Sequence, residues 1–356
     1  MAGKKILALG GDGVGPEVME VACEILREAF SLQSLTPLHG QAAAKAGKEV
    51  FPHEVKRLIQ TSDAVLFGAN GGISREILYY LRFHLDNFVN IRPIKYYPGA
   101  NSPLADPQGI DFVILRENSE GLYPSREGDL DLLIRSLPQF RDRVGRSFAD
   151  YGAGKFAVRI VSDRGTARLA KFALAYARKR KALGYPGKVT VVTKSNVLTQ
   201  TDGFFQEMME EEIKKDPGVA HEHYYVDDAA RRLVRFPKKF DVLVTSNLFG
   251  DILADEAAEL VGGLGLAPSA VIGGEKPYFE PVHGSAPDIA GKGIVNPTAM
   301  ILSAGMMLDH LEMKEEAKVL EQAVSAVFRE KRFLTPDQGG SAATRDFSSA
   351  VLREIR

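Results

Sequence analysis

The sequence predicts an α/β chain with a largely parallel sheet, and three observations carry that expectation. Short apolar runs alternate with longer amphipathic stretches along the chain. The first run leads directly into a glycine-rich turn followed by a helical pattern. No internal repeat or low-complexity tract interrupts the alternation.

The elements follow in order. Lys5–Leu9 reads as a strand. Pro16 suits the first turn of a helix, and Val18, Val21, Ala22, Ile25, Leu26 and Ala29 then form an apolar stripe at helical spacing. Ala64–Gly68 is strand-like and leads to a helix through Glu76–Leu85. Phe112–Leu115, Ala157–Val161, Val189–Thr193, Tyr224–Val226 and Val242–Thr245 are further short β runs. Helical stretches near Thr166–Lys181, Phe204–Lys214, Ile252–Val261 and Thr298–Leu311 separate or follow them. Leu104–Gly109 and Gly262–Gly274 read as crossings between two lobes. Tyr278–Pro297 is too rich in glycine and proline, and too long, for an ordinary connection; long loops of this kind tend to be functional.

Composition narrows the function classes. With 356 residues and 45% apolar content the chain can bury a large core. A net charge of −1 gives no electrostatic case for nucleic acid or an anionic membrane. Its one cysteine, Cys23, falls in a helical apolar stripe, excludes an internal disulfide and fits a reducing compartment. No apolar run reaches spanning length, and Met1–Leu9 lacks the regions of a signal peptide, so a cytoplasmic protein is expected.

Five groups of residues point to chemistry. Gly10–Glu17 reads GGDGVGPE between a strand and a helix, but its glycines alternate, and the dinucleotide fingerprint needs two residues before its last glycine. A tight strand-to-helix turn is the simpler reading. Arg82 closes a helix, Arg92 precedes a proline in extended backbone and Arg116 ends a strand; guanidinium forks match carboxylates, so together they suit a di- or tricarboxylate, whereas singly each is more readily a surface arginine. Asp251 and Asp255 are four apart in NLFGDILAD and share one helix face, where two like charges repel unless a cation lies between them. A helix-capping role for Asp251 fits equally well. Asp227 adds a third carboxylate after a strand, and Lys194 ends another, a position suited to a base. Finally, Glu280–Pro297 (EPVHGSAPDIAGKGIVNP) supplies small residues that let a backbone approach phosphates, and one acid, Asp288, that can accept ribose hydroxyls.

Together, GDGVGPE, LRFHLDNFVNIRP, RENSEGLY, TKSNVL, NLFGDILADEAAELVGGLG and EPVHGSAPDIAGKGIVNP resemble the β-decarboxylating dehydrogenases that act on isopropylmalate, isocitrate, homoisocitrate and tartrate or D-malate. The resemblance spans nearly the whole chain. It implies an isopropylmalate-dehydrogenase-like two-domain α/β fold, not a Rossmann fold, with the active site in the interdomain cleft. The large domain would be discontinuous, 1–100 with 255–356, and 101–254 would form the smaller substrate and dimerisation domain. It implies NAD and Mg²⁺ or Mn²⁺ as cofactors, a small hydroxy-acid substrate and a homodimer with shared active sites.

Carried over by position, Arg82, Arg92 and Arg116 match the clamp on the malate carboxylates. Asp251 and Asp255 match metal ligands, joined by Asp227 from the other subunit, which also supplies Lys194. Lys194, with Asp227, is the implied base and Tyr123 the implied proton donor. Asn196, Glu280, His283, Gly284, Ser285, Ala286, Asp288 and Asn296 match cofactor-binding positions. Three departures stand out: Asn70 and Ile73 in the GANGG loop, Asp228 beside Asp227, and the helix SREILYYL. In isopropylmalate dehydrogenases that helix carries an acid seven residues before the first clamp arginine and two leucines near its end. Arg75 stands at the acid's position and Tyr79 at the second leucine's. A cation and a phenol there imply a polar or anionic substituent, as in homoisocitrate or isocitrate, ahead of isopropylmalate or a tartrate/D-malate type. A non-catalytic regulatory subunit would be expected to lack Tyr123, Lys194 or an aspartate, and all are present.

Overall fold

The computed structural model describes residues 4–356; the first three residues of the N-terminal reading lie outside the described residues. Twelve strands are formed among them: β1 (Ile6–Gly11), β2 (Ser34–Leu35), β3 (Ala64–Ala69), β4 (Val89–Lys95), β5 (Asp111–Glu117), β6 (Glu127–Asp129), β7 (Lys155–Ala157), β8 (Val189–Thr193), β9 (His221–Tyr225), β10 (Val242–Thr245), β11 (Pro268–Ile272) and β12 (Tyr278–Pro281). Ten of them make one sheet in the order β2-β1-β3-β12-β11-β4-β5-β10-β8-β9. The flanks are parallel, β2 to β12 on one side and β5 to β9 on the other. The centre is antiparallel: β12–β11, β11–β4 and β4–β5.

Six of the nine pairings are parallel, so the sheet is largely parallel as expected, with the antiparallel centre as the exception. Gly262–Gly274 is more than a crossing, because it contains β11. β4 resisted prediction because Asn90, Arg92 and Pro93 break its apolar pattern, and proline in a central strand ordinarily argues against one. The predicted strand Ala157–Val161 is also corrected. The strand is Lys155–Ala157, paired with β6 in a two-stranded ribbon; Ile160 makes only an isolated bridge to Gly121, and Val158 and Ile160 are exposed rather than packed on the large sheet.

Helices cover both faces, as strands with two buried faces require. One face carries a continuous core. Ile6 and Ala8 of β1, Leu66 of β3, Ile91 of β4, Val113 and Leu115 of β5, Val191 of β8 and Val244 of β10 pack in one cluster with the helices Gly15–Phe30, Asp163–Ala182, Thr298–His310 and Lys314–Glu330. The other face carries two separate cores. Leu7, Leu9, Val65, Phe67, Val271 and Tyr278 form one; Ile94, Phe112, Ile114, Val192 and Leu243 form the second, beneath the helix Asn247–Glu259. Side chains alternate along a strand, so Arg92, Arg116 and Glu280 share this second face with Ile94, Ile114 and Tyr278. The charged residues occupy the interval between the two cores.

Candidate active site

Three elements deliver the arginines. The helix Arg75–Tyr79 widens into a π-helical turn, Tyr80–His84, which carries Arg82; such turns recur at functional sites. Arg92 lies in β4 and Arg116 in β5, with Asn90 opposite Arg116 in the register. All three are buried, Arg116 to 1% exposure. Arg116 is satisfied by the first turn and a half of the helix Asn247–Glu259. Its Nε and Nη2 donate to Asn247 Oδ1 at 3.1 and 2.7 Å, and its Nη1 pairs with Asp251. Gly250 makes room for this, since a Cβ there would stand 2.7 Å from the Arg116 side chain. Arg92 reaches Asp251 at 3.0 Å and Asp255 at 3.4 Å. Arg82 faces Glu280 at 3.7 Å.

Tyr123 closes the cluster. Its hydroxyl donates to Asp251 Oδ2, and its ring faces the Arg116 and Arg82 guanidinium groups at 4.5 and 5.8 Å, a cation–π arrangement. Burial pushes the phenol up, opposed by Arg116 and reinforced by its bond to Asp251. The arginines shape one another as well. Burial, then Arg92 and Arg82, bring Arg116 down to about 10 despite Asp251. Burial alone would raise the Asp251 carboxyl, but Arg116, Arg92 and the Tyr123 bond outweigh it and hold it below the ordinary carboxylate range. Asp255 is raised, first by burial, with Arg92 opposing and Asp251 reinforcing.

Lys194 immediately follows β8 and its Nζ pairs with Asp227 Oδ1 at 2.6 Å; that hydrogen bond lowers the Asp227 carboxyl. Asn196 is exposed two residues on. Among the described residues of a single chain, no three His, Cys, Asp or Glu side chains converge as a metal cage. Asp251 and Asp255 meet at Arg92, whereas Asp227 pairs with Lys194. Asp228, the extra acid, is taken up by Arg231 and Arg232 of its own helix at 2.7 and 2.6 Å.

The long loop after β12 lies on the first glycine turn. Val14 N–H donates to Ser285 O at 2.9 Å. A Cβ on Gly13 would stand 2.0 Å from that same oxygen, which is why only glycine fits there. Ala286 takes a left-handed φ of 35°, a strained value for a residue with a side chain. His283 Nε2 is buried without a hydrogen-bond partner, and burial lowers its imidazole. Space beside Gly284 is open to 4 Å, and Asp288 is exposed. Asn296 accepts from Thr298 N–H at 3.0 Å and donates to Asp337 at 2.9 Å, fixing the loop's far end.

Arg75 is exposed, and its side chain forms no ion pair or hydrogen bond among the described residues. Tyr79 is 41% exposed, with its ring edge-on to Phe83 at 5.3 Å. Asn70 supports its own loop, accepting from Gly72 N–H at 3.0 Å. Three residues in these networks had not been singled out: Asn247, Asp337 and Asp202, the last of which accepts from the Lys194 N–H at 2.6 Å. Asn247 had a legible signal, standing at the first helical position after a strand; the other two have none in sequence.

Three buried guanidinium groups, Arg82, Arg92 and Arg116, thus face the carboxylates of Asp251, Asp255 and Glu280 across an interval in the core. Residues 5–351 match the family model described as isocitrate/isopropylmalate dehydrogenase. The 3-isopropylmalate/3-methylmalate dehydrogenase of Methanocaldococcus jannaschii is 42% identical, over 99% of both chains. The isocitrate/homoisocitrate dehydrogenase of Thermus thermophilus is 42% identical over 99% of this chain and 98% of its own. The crystal structure of isocitrate dehydrogenase from Methylococcus capsulatus superposes with a TM-score of 0.86 at 34% identity, covering 99% of each chain. The chain is therefore a dehydrogenase, an oxidoreductase acting on a CH–OH group. It belongs to the isocitrate/isopropylmalate dehydrogenase family.

Proposed function

We infer that the chain catalyses NAD-dependent oxidative decarboxylation of a 3-substituted (R)-malate-type 2-hydroxy acid, with Mg²⁺ or Mn²⁺, as a cytoplasmic homodimer with shared sites. The observation that carries this is the clustering of Arg82, Arg92 and Arg116 around Asp251, with Asp255 on Arg92 and Glu280 on Arg82. The domain division, 1–100 with 255–356 against 101–254, is supported by the sheet: β2, β1, β3, β12, β11 and β4 come from the first set, β5, β10, β8 and β9 from the second. No helix among the described residues is long and apolar enough to cross a membrane.

The residues present fit both cofactors. Asp251 and Asp255 offer hard oxygen donors on one helix face, as Mg²⁺ and Mn²⁺ prefer. The loop 282–297 offers open space at Gly284, an unpartnered His283 Nε2 and the Asp288 carboxylate. Bound, NAD accepts the hydride and the divalent ion lends Lewis acidity to the substrate's oxygens. The guanidinium groups grip the malate carboxylates as bidentate forks, taking them in place of Asp251. Lys194, from the second copy and steadied by Asp227, accepts the hydroxyl proton. Tyr123 returns a proton to carbon once CO₂ has left. Exclusion of water by the buried clamp strengthens each of these charge interactions.

The substituent should be polar or anionic, because Arg75 and Tyr79 stand on the helix that leads to Arg82. Isopropylmalate is the second reading, and one observation favours it: Arg75 is turned to solvent and commits to no partner. Kinetics with Mn²⁺ over homoisocitrate, isocitrate, isopropylmalate, D-malate and tartrate, with NADH and CO₂ counted mole for mole, separate them. The highest kcat/KM is expected for homoisocitrate or isocitrate, and Arg75→Ala should reduce that preference. Isopropylmalate ranking first, or a ranking untouched by Arg75→Ala, would overturn the polar-substituent reading; NADH without CO₂ would overturn decarboxylation.

The same assay fixes the nucleotide. Asp288 would meet the 2′-phosphate of NADP with a like charge, so kcat/KM with NADP should be at least about tenfold below that with NAD. Asp288→Ser should narrow the gap. Equal efficiencies in the wild type would remove Asp288 from the cofactor site.

A further inference from the structure

The first glycine turn matched no dinucleotide fingerprint, and the site above uses its glycines only as a floor for Ser285. Its one charged residue before Glu17, Asp12, is unaccounted for. Asp12 is 2% exposed, and among the described residues no Lys or Arg pairs with it. A buried carboxylate without a cation persists only if its lone pairs are filled. Here they are filled by neutral donors from elsewhere in the chain. Oδ2 accepts from the Gly71 and Ser74 N–H groups at 2.8 and 2.9 Å. Oδ1 accepts from Ser74 Oγ at 2.7 Å and from Gln41 N–H at 3.2 Å.

These donors lie where the substrate and cofactor elements join. Ser74 immediately precedes the helix that carries Arg75 and Tyr79 and runs on to Arg82. A Cβ on Gly71 would stand 2.8 Å from Ser285 Oγ, and Val14, two residues after Asp12, donates to Ser285 O. The carboxylate is itself held rigidly, because Asp12 N–H donates to Ala69 O at the end of β3 at 2.8 Å. One rigid point thus fixes the 70–74 loop and, through Gly71 and Val14, the edge of the 282–297 loop.

We propose that Asp12 is a positioning residue that sets the mutual placement of the Arg75–Arg82 helix and the Ser285 edge of the 282–297 loop. It touches neither substrate nor cofactor, and it acts through Ser74, Gly71 and Val14. The proposal rests on the reading of that helix and that loop as substituent-facing and NAD-binding. It makes a graded prediction from hydrogen-bond geometry. Asparagine can turn its oxygen to the Gly71 and Ser74 N–H groups and its amide to Ser74 Oγ, whose hydroxyl rotates to accept. It then loses only the Gln41 contact. Alanine loses all four and leaves three N–H groups, those of Gln41, Gly71 and the buried Ser74, without their acceptor.

Amide hydrogen exchange and NAD affinity by calorimetry test this on the full-length protein. In Asp12→Ala, exchange at Gly71 and Ser74 should quicken by at least about tenfold, the protection of β1 and β3 should hold, and the NAD dissociation constant should rise by about tenfold, or 1.4 kcal/mol. Asp12→Asn should stay within about threefold of wild type in both. Unchanged exchange in Asp12→Ala, or Asp12→Asn as damaging as alanine, overturns the proposal. Loss of protection in β1 and β3 as well would mean a merely structural role and also overturns it. If Asp12→Ala does not fold, Ser74→Ala reads the same link: faster exchange at position 74 supports it, and an unchanged rate overturns it. If the wild type binds no NAD, the functional reading fails, while exchange at Gly71 and Ser74 still decides the role of Asp12.

Discussion

Asp251→Ala is expected to abolish turnover and also to cost the metal-free protein about 3 kcal/mol of folding stability, the lower end for breaking a buried ion pair. Both effects follow from its position among Arg116, Arg92 and Tyr123. Alanine would leave Arg116, at 1% exposure, with Asn247 as its only hydrogen-bond partner among the described residues and with two other guanidinium groups nearby. Arg92 would keep Asp255. Denaturant midpoints in the presence of a chelator measure the loss, and Asp251→Asn should lose less because it keeps an acceptor. A small dicarboxylate such as malonate should restore part of the stability by supplying the missing charge. The sign with pH is fixed by the direction of the shift. The folded carboxyl lies below its ordinary 3.8, so its contribution is complete above that value and fades only as pH falls further. Wild-type stability in Asp251→Ala would show that Arg116 is neutralised by another group.

Lys194→Ala should lower kcat by about 10²–10⁴-fold, the usual cost of removing a positioned base. Burst-phase measurement should place the loss in NADH formation itself. The stronger test is of sharing. Asp255→Ala should also be inactive, yet fold well, since Asp255 is half exposed and Arg92 retains Asp251. Mixed in equal amounts and allowed to exchange subunits, Lys194→Ala and Asp255→Ala should recover about a quarter of wild-type activity. Half of the dimers are then mixed, and one of their two sites is whole. No recovery after verified exchange would mean that each chain uses its own lysine.

Much of this was legible in the sequence, and the parts that were not share a cause. Val189–Thr193 and Val242–Thr245 were readable to the residue because a strand buried on both faces is written as an unbroken apolar run. β4 was not, because it borders the interval between two cores and gives Asn90 and Arg92 to the site. Local pattern and function compete there, and function overrides the pattern. The site residues were legible as types at fixed spacings. Their convergence was not: that Arg116 needs Asn247, or that Lys194 needs Asp202, depends on contacts 131 and 8 residues apart that no periodicity encodes. Arg75 is the opposite case. Its position carried meaning through the family resemblance, and the single chain leaves its side chain uncommitted.

The meeting of Gly13 with Ser285 also limits how this enzyme can be re-engineered. Where backbone rests on backbone there is no side chain to vary, so a mutational library aimed at the floor of the 282–297 loop would consist mostly of misfolded members. The variation that the fold tolerates lies on the outer edge, at the exposed Gly284, Pro287 and Asp288. On the proposed reading of that loop as NAD-binding, a change of nucleotide preference should be reachable by few substitutions at those positions, with the first turn left as it is.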